Sequence, residues 1–383
     1  MTNATLGPMT STPFPSPDSS SLVSTLAHFF GPARSLKITA VRPGQQGFSG
    51  NPIWCLHDPV TDKRYVLKAV DTAADLPQVA WRHAFIEHLR EQGLDWLPQV
   101  CTCPARSGQP AAFSRLVQDT AGTHWQCLTW VPGESLPAPK PDSVAHATAA
   151  LGRLHRLGRS FRQPFPAPRE DGWTLRQRQF MRLETEGWPS LPGEMAERNT
   201  HNPEITRWSV EAATIYHSHS GNAVSTRLAG LRLDVPLAQP VLRDIWWGHV
   251  MFQMQSQTEQ FFSGMIDFDA AAVDTPVTDM ARLVGSWHLM SGDPEMLLCD
   301  RWPEAFLAYE EGAGLPKPSL GAVQIYHDTA VVCGLARWFE WLLQEGRVFP
   351  DMPAVKSRIE GLLRALPAAL QRLGKISGDR LLP

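Results

Sequence analysis

Two short apolar runs that each end in a carboxylate constrain this chain more than anything else in it. Val241-Leu242-Arg243-Asp244 carries the first acid, and a polar metal-ligand type, His249, follows five positions later. Met265-Ile266-Asp267-Phe268-Asp269 carries the second. Phosphoryl transfer needs two such acids, one to orient the attacking hydroxyl and one to hold the metal that bridges the phosphates.

Bulk composition excludes several other roles. A chain of 383 residues is long enough for two lobes with cores of their own. A formal net charge of −3 offers no basic field for nucleic acid. No run approaches the roughly 20 apolar residues of a membrane span, and Met1 to Ser21 lacks the basic start and apolar core of a signal peptide. The expectation is a cytoplasmic protein with neither nucleic-acid nor membrane partner. Cys101-Thr102-Cys103 has the wrong spacing for a C-x-x-C zinc or redox pair, so the six scattered cysteines read as reduced thiols.

Residues 1–20, rich in Ser, Thr and Pro, bury too little apolar surface to order themselves and are expected to form a flexible tail. A helix over about Ser21–Phe30 should precede strands at Leu36–Val41, Ile53–His57 and Arg64–Val70, the last two joined by the turn Asp58-Pro59-Val60-Thr61-Asp62. A helix over Pro77–Gln92 and extended segments at Pro98–Cys103, Ser114–Val117 and Trp125–Val131 follow, and from these six extended segments a five-stranded antiparallel lobe ending at Pro132-Gly133 is expected. Beyond it the periodicity turns helical, with Val144, Ala147, Leu151 and Leu154 at helix spacing. Further helices are expected over Thr278–Leu289 and Pro303–Glu311, and over Ile325–Leu343, where apolar residues on nearly every side point to a buried core helix. The stretch 160–235 is ambiguous, with amphipathic pieces around Trp173–Glu186 and Pro203–His217.

On the third strand, period-two alternation places Val66, Lys68 and Val70 on one face and Tyr65, Leu67 and Ala69 on the other. A lysine on the cleft face of an apolar strand costs free energy unless it meets an anion. The loop from Gly44 to Gly50 precedes it, with Gly47 and Ser49 as candidate phosphate-binding positions. Its glycines serve a phosphate cradle and a plain hairpin equally well.

Taken in order, these motifs resemble the aminoglycoside phosphotransferase and choline kinase superfamily, whose core reads H-x-D-x-x-x-x-N followed by I-D-[FW]. The resemblance covers about residues 36–345. It implies a bilobal protein-kinase-like α+β fold, with a nucleotide-binding N-lobe over 21–131 and a helical C-lobe over 132–383 that carries the catalytic loop and acceptor site. It also implies ATP and Mg2+ as cofactors, with Mn2+ as an alternative, and a hydroxyl group on a small molecule as acceptor. Lys68 then meets the α- and β-phosphates, and Trp130 and Val131, in the hinge Leu128-Thr129-Trp130-Val131-Pro132-Gly133-Glu134, read the adenine edge. Asp244 takes the catalytic position, Asp267 and His249 the metal positions, and His155 braces the catalytic loop. The helix partner of Lys68 falls at His83 or, one turn on, Glu87. Asp269 and Asp279 read as supporting acids, and Trp246-Trp247 as an acceptor-stacking surface or as core.

Two positions depart from the family pattern: Leu242 stands for its leading His, and His249 for its Asn. An imidazole is a softer ligand than an amide oxygen and better matched to manganese or zinc. The site can therefore run on one metal at Asp267, prefer manganese, or bind nucleotide without turning it over. The last possibility defines the rival reading, a pseudokinase-like nucleotide-binding or scaffolding module. A metallohydrolase built on His249 and Asp267 leaves the lysine and the hinge without purpose.

Overall fold

The computed structural model describes residues 19–31, 35–40, 52–70, 76–103, 115–166, 172–186, 188, 203–219, 221–231, 233, 235, 237–254, 259–291, 293–314 and 319–376. Residues 1–18 of the expected tail and the glycine loop, with Gly47 and Ser49, lie outside the described residues.

Helix α1 (Ser19–Phe30) places Leu22, Leu26 and Phe29 on one stripe. It covers the sheet face formed by Leu56, Tyr65, Leu67, Ala69, Trp125 and Cys127. Strands β1 (Lys37–Ala40), β2 (Ile53–Asp58) and β3 (Lys63–Val70) form a meander. Its second turn is closed by Asp58, whose carboxylate accepts from Val60 N (3.0 Å) and Thr61 Oγ1 (2.6 Å). Helix α2 (Leu76–Glu91) leads to β4 (Leu116–Gln118) and β5 (His124–Thr129), and the sheet order is β1-β2-β3-β5-β4, antiparallel throughout. The extended segment expected at Pro98–Cys103 is not a strand of this sheet. Only Val100 bridges to Leu128 there, and Pro98 has no N–H to give a ladder.

The helical part begins after β6 (Glu134–Ser135) with α3 (Pro141–Gly158) and continues with α4 (Gly172–Thr185), α5 (Pro203–Ser218) and α6 (Gly221–Gly230). Three short strands then carry the acidic motifs: β7 (Gln239–Val241), β8 (Val250–Met254) and β9 (Gln260–Met265), followed by β10 (Ala272–Asp274). β8 and β9 form a hairpin, and β10 returns to pair antiparallel with β7, Ala272 opposite Val241. That register sets the residues just after Val241 beside those just before Ala272, which brings the two acidic motifs together. Helices α7 (Val277–Ser291), α8 (Leu298–Arg301), α9 (Pro303–Ala313), α10 (Leu320–Phe339) and α11 (Met352–Lys375) complete the chain. No helix among the described residues is long and apolar enough to cross a membrane.

The largest core joins α2 (Trp81, Phe85, Leu89), α3 (Val144, Leu151, Leu154), the segments that carry the two acidic motifs (Leu242, Ile245, Phe252, Met265) and α7 (Met280, Leu283, Val284). A second core holds α4, α5, α6, α10 and α11 together, and α10 is buried around its circumference as its sequence implies. Contact between α3 and α9 is closest at two glycines. A Cβ on Gly312 would stand 2.2 Å from the Ala149 carbonyl oxygen, and one on Gly152 would stand 2.5 Å from that of Tyr309.

Gly→Ala inside a helix ordinarily stabilises by up to about 1 kcal/mol. Gly312→Ala should instead destabilise, by about 1–3 kcal/mol, because backbone must move to admit the methyl group. Urea unfolding of the variant against wild type checks the sign.

Candidate active site

β3 lies between β2 and β5, so Lys68 sits in mid-sheet opposite Ile53 and Gln126, on the face α1 does not cover. It is only 8% exposed. Its Nζ lies 2.5 Å from Asp269 Oδ2 and 3.5 Å from Asp267 Oδ1. Burial lowers the ammonium's pKa, but Asp267 and Asp269 outweigh it and hold the group above its ordinary value. Burial likewise pushes the Asp267 carboxyl up, yet the Lys68 ammonium outweighs that push and keeps it below the usual carboxylate range.

Neither candidate on α2 meets the lysine. Glu87 is taken by Arg115, whose Nε donates to Oε1 at 2.6 Å. His83 Nε2 lies 2.8 Å from Gln126 Oε1, and Gln126 Nε2 donates onward to Asp269 Oδ1 at 3.3 Å. Because the amide nitrogen is committed to Asp269, its oxygen accepts and His83 Nε2 donates. The helix thus reaches Lys68 through a neutral relay from His83 by way of Gln126 to Asp269. Burial pulls the His83 pKa down to about 4; the Gln126 bond opposes this and Arg115 adds to it.

The loop that follows β7 is shaped from below. Asp279, fully buried at the start of α7, accepts from Leu242 N and Arg243 N, each at 2.7 Å, and from His155 Nε2 at 3.0 Å. His155 Nδ1 in turn accepts from the Tyr309 hydroxyl at 2.7 Å, which places this imidazole under the loop. Ser286 Oγ accepts from Trp247 N at 2.8 Å. Arg282, between them on the same helix face, pairs with Asp244. Arg243 turns away, its Nε 3.2 Å from buried Asp274 Oδ2. Leu242 is fully buried in the main core.

Backbone strain falls at this site. Among the described residues three non-glycine positions have left-handed φ, and two of them are Arg243 (φ 63) and Asp267 (φ 64). Such conformations persist only where surrounding structure over-determines them, and the Asp279 hydrogen bonds do so for the first.

His249 closes the loop. Its Nδ1 lies 3.0 Å from the Asp244 carbonyl oxygen, its Nε2 accepts from Trp246 Nε1 at 2.8 Å, and Asp267 Oδ2 stands 3.5 Å from that same Nε2. Nδ1 therefore carries the proton. Asp267 is a carboxylate suited to a hard cation, and His249 Nε2, 3.5 Å from its Oδ2, could join it as a ligand only with the Trp246 N–H moved aside. Among the described residues no three His, Cys, Asp or Glu side chains gather as a metal cage; the rest of the shell would be substrate oxygens and water. Trp247 packs against the main core while Trp246 stands edge-on to it, centroids 4.8 Å apart, at the site. In the hinge, Trp130 donates its backbone N–H to Arg64 O at 3.0 Å. Val131, 7% exposed, packs on Gly264, where a Cβ would meet its Cγ1 at 2.6 Å.

The model of the Phosphotransferase enzyme family matches residues 42–320, more than half of the chain and all of the segments just described. The chain belongs to that family. Solved structures agree on the fold. A spectinomycin phosphotransferase in complex with ADP and spectinomycin is similar over 93% of this chain and 97% of its own, at 12% identity and a TM-score of 0.58. An amicoumacin kinase in complex with AMP-PNP and Ca2+ is similar over 91% and 93%, at 13% identity and a TM-score of 0.54. A microcompartment-associated aminopropanol kinase is similar over 93% and 100%, at 15% identity and a TM-score of 0.53. No curated protein sequence matches the chain significantly.

A pH dependence follows from His83. Its folded pKa of about 4 lies below the roughly 6.5 of an exposed imidazole, so the unfolded chain takes up the proton first. The contribution to stability is fully present above pH 6.5 and is lost as pH falls towards 4, amounting to about 2 kcal/mol at pH 5. Urea titrations at pH 7 and pH 5 should show His83→Gln losing less stability between the two than wild type.

Proposed function

We propose that this member of the phosphotransferase family transfers the γ-phosphoryl group of ATP to a hydroxyl of a small molecule. The observation that carries the reading is the convergence of Lys68, from β3, with Asp267 and Asp269, from the loop between β9 and β10, beside a braced loop that presents Asp244. A buried ammonium already flanked by carboxylates is suited to hold α- and β-phosphate oxygens once a cation neutralises those carboxylates. Asp267, with His249 beside it, is the residue to hold Mg2+, or Mn2+ given the imidazole, and that ion would supply charge neutralisation at the bridging phosphate oxygens. Gly47 and Ser49 are assigned to the phosphates, and Trp130 and Val131 to the adenine.

Asp244 orients the acceptor hydroxyl by accepting its hydrogen bond, and the loose transition state asks for positioning more than for a strong base. The acceptor oxygen forms a bond to the γ-phosphorus as the bond to the β–γ bridging oxygen breaks, ADP leaves, and the hydroxyl proton passes to Asp244 and then to water. In the state described, the Asp244 carboxylate is held by Arg282 and His249 Nε2 by Trp246. These two contacts favour the second reading, a nucleotide-binding module without transfer, if they persist when ATP is bound.

With magnesium present, ATP should raise the melting temperature of wild type, and Lys68→Ala should remove most of that shift, since a ligand at 100-fold excess over Kd stabilises by about 2.7 kcal/mol. Asp244→Asn should keep ATP affinity within a few-fold yet lower transfer by roughly 10²-fold or more. No ATP shift with either metal contradicts the nucleotide assignment; transfer at the wild-type rate in Asp244→Asn contradicts the role of that carboxylate.

A further inference from the structure

The acceptor side of Asp244 is rich in guanidinium groups. Arg282 pairs with Asp244 itself, and Arg243 with Asp274. Arg176 lies on Tyr326 with Cζ 4.5 Å from the ring centroid, and donates from Nη1 to Gly172 O at 2.9 Å. Arg358, on the last helix, stands over the Trp246 ring at 5.8 Å. It is partly buried and forms neither ion pair nor hydrogen bond with any described residue, and its Nη1 is wholly shielded from solvent. Arg282 Nε is shielded and unpartnered in the same way. The four arginines come from four separate segments and face two carboxylates, Asp244 and Asp274. Their charges interact: burial and then Arg282 pull the Arg358 pKa down to about 10, with Asp244 opposing, and burial chiefly lowers that of Arg176, with Asp274 opposing and Arg282 adding a smaller push. Four guanidinium groups against two carboxylates, with donors left unused, make a site built for an anion.

Building on the assignment of Asp244 to the acceptor hydroxyl, we propose that the acceptor carries an oxyanion group, a carboxylate or a phosphate, which is received between Arg282 and Arg358 beside Trp246. The anion has a second effect. By taking the guanidinium of Arg282 it releases Asp244 from its ion pair, leaving that carboxylate to accept the acceptor hydroxyl. An acceptor with an amine in place of the anion would meet like charge and leave Asp244 engaged. Specificity and activation then come from the same contact, and polycationic aminoglycosides are excluded as acceptors.

Calorimetric titration of the full chain tests this, with and without AMP-PNP and magnesium, against four probes of similar size: glycerate, glycerol 3-phosphate, glycerol and ethanolamine. At least one anionic probe should bind at least tenfold more tightly than glycerol and ethanolamine, and the comparison of the two anions tells carboxylate from phosphate. Arg358→Gln should remove that tenfold preference and Arg358→Lys should recover part of it, with the melting temperature reporting that both variants are folded. Ethanolamine binding as tightly as the anions, equal or absent binding of all four probes, or an anion preference unchanged in Arg358→Gln overturns the inference. Anion preference without any nucleotide binding would instead leave the inference standing and count against ATP as donor.

Discussion

A protonated lysine inside a β-sheet is the constraint around which this molecule is organised. Lys68 has strand neighbours on both sides, and two carboxylates from elsewhere in the chain reach its ammonium and offset the cost of burying it. Those carboxylates arrive because β10 pairs back onto β7, because the backbone at Asp267 accepts a left-handed conformation, and because α7 fixes the loop between the strands. The sheet and the helical region are therefore coupled through charge as well as through the apolar core that α2 shares with α3 and α7. Nucleotide phosphates would enter a position where anions are already required.

The fold was legible where the periodicity was strong. The face of β3 that carries Tyr65, Leu67 and Ala69 is buried under α1, and Lys68 lies on the other face, as alternation dictates. Less legible elements have local causes. Helix α6 begins and ends in glycine, which weakens any propensity signal. Helix α11 has a clear start, with Asp351 accepting from Ala354 N at 2.9 Å, but Pro367 in its interior argues against a helix of 24 residues. Pro98–Cys103 has strand-like composition and makes a single bridge.

Within the candidate site the residue types were legible and their pairings were not. A sequence shows that Lys68 needs an anion, but two helix positions and two strand-end acids compete for it. The choice was made by Arg115, which takes Glu87, and by Gln126, which ties His83 to Asp269. Asp279 reads as a supporting acid in sequence; the two backbone hydrogen bonds it accepts, which set the loop's shape, come from Leu242 and Arg243, and a third joins it to His155, 124 positions away. Arg358 carries no motif, and its relevance comes only from standing over Trp246. Long-range electrostatic partners are set by tertiary packing, so local pattern cannot name them.

The most direct test of the account is a crystal structure of the chain bound to a non-hydrolysable ATP analogue and magnesium. The account predicts α- and β-phosphate oxygens within ion-pair distance of Lys68, with a cation between Asp267 and the phosphates. It also predicts His249 freed from Trp246 or the ion held by Asp267 alone. A complex in which Lys68 keeps only Asp267 and Asp269 as partners while the nucleotide lies elsewhere would contradict it.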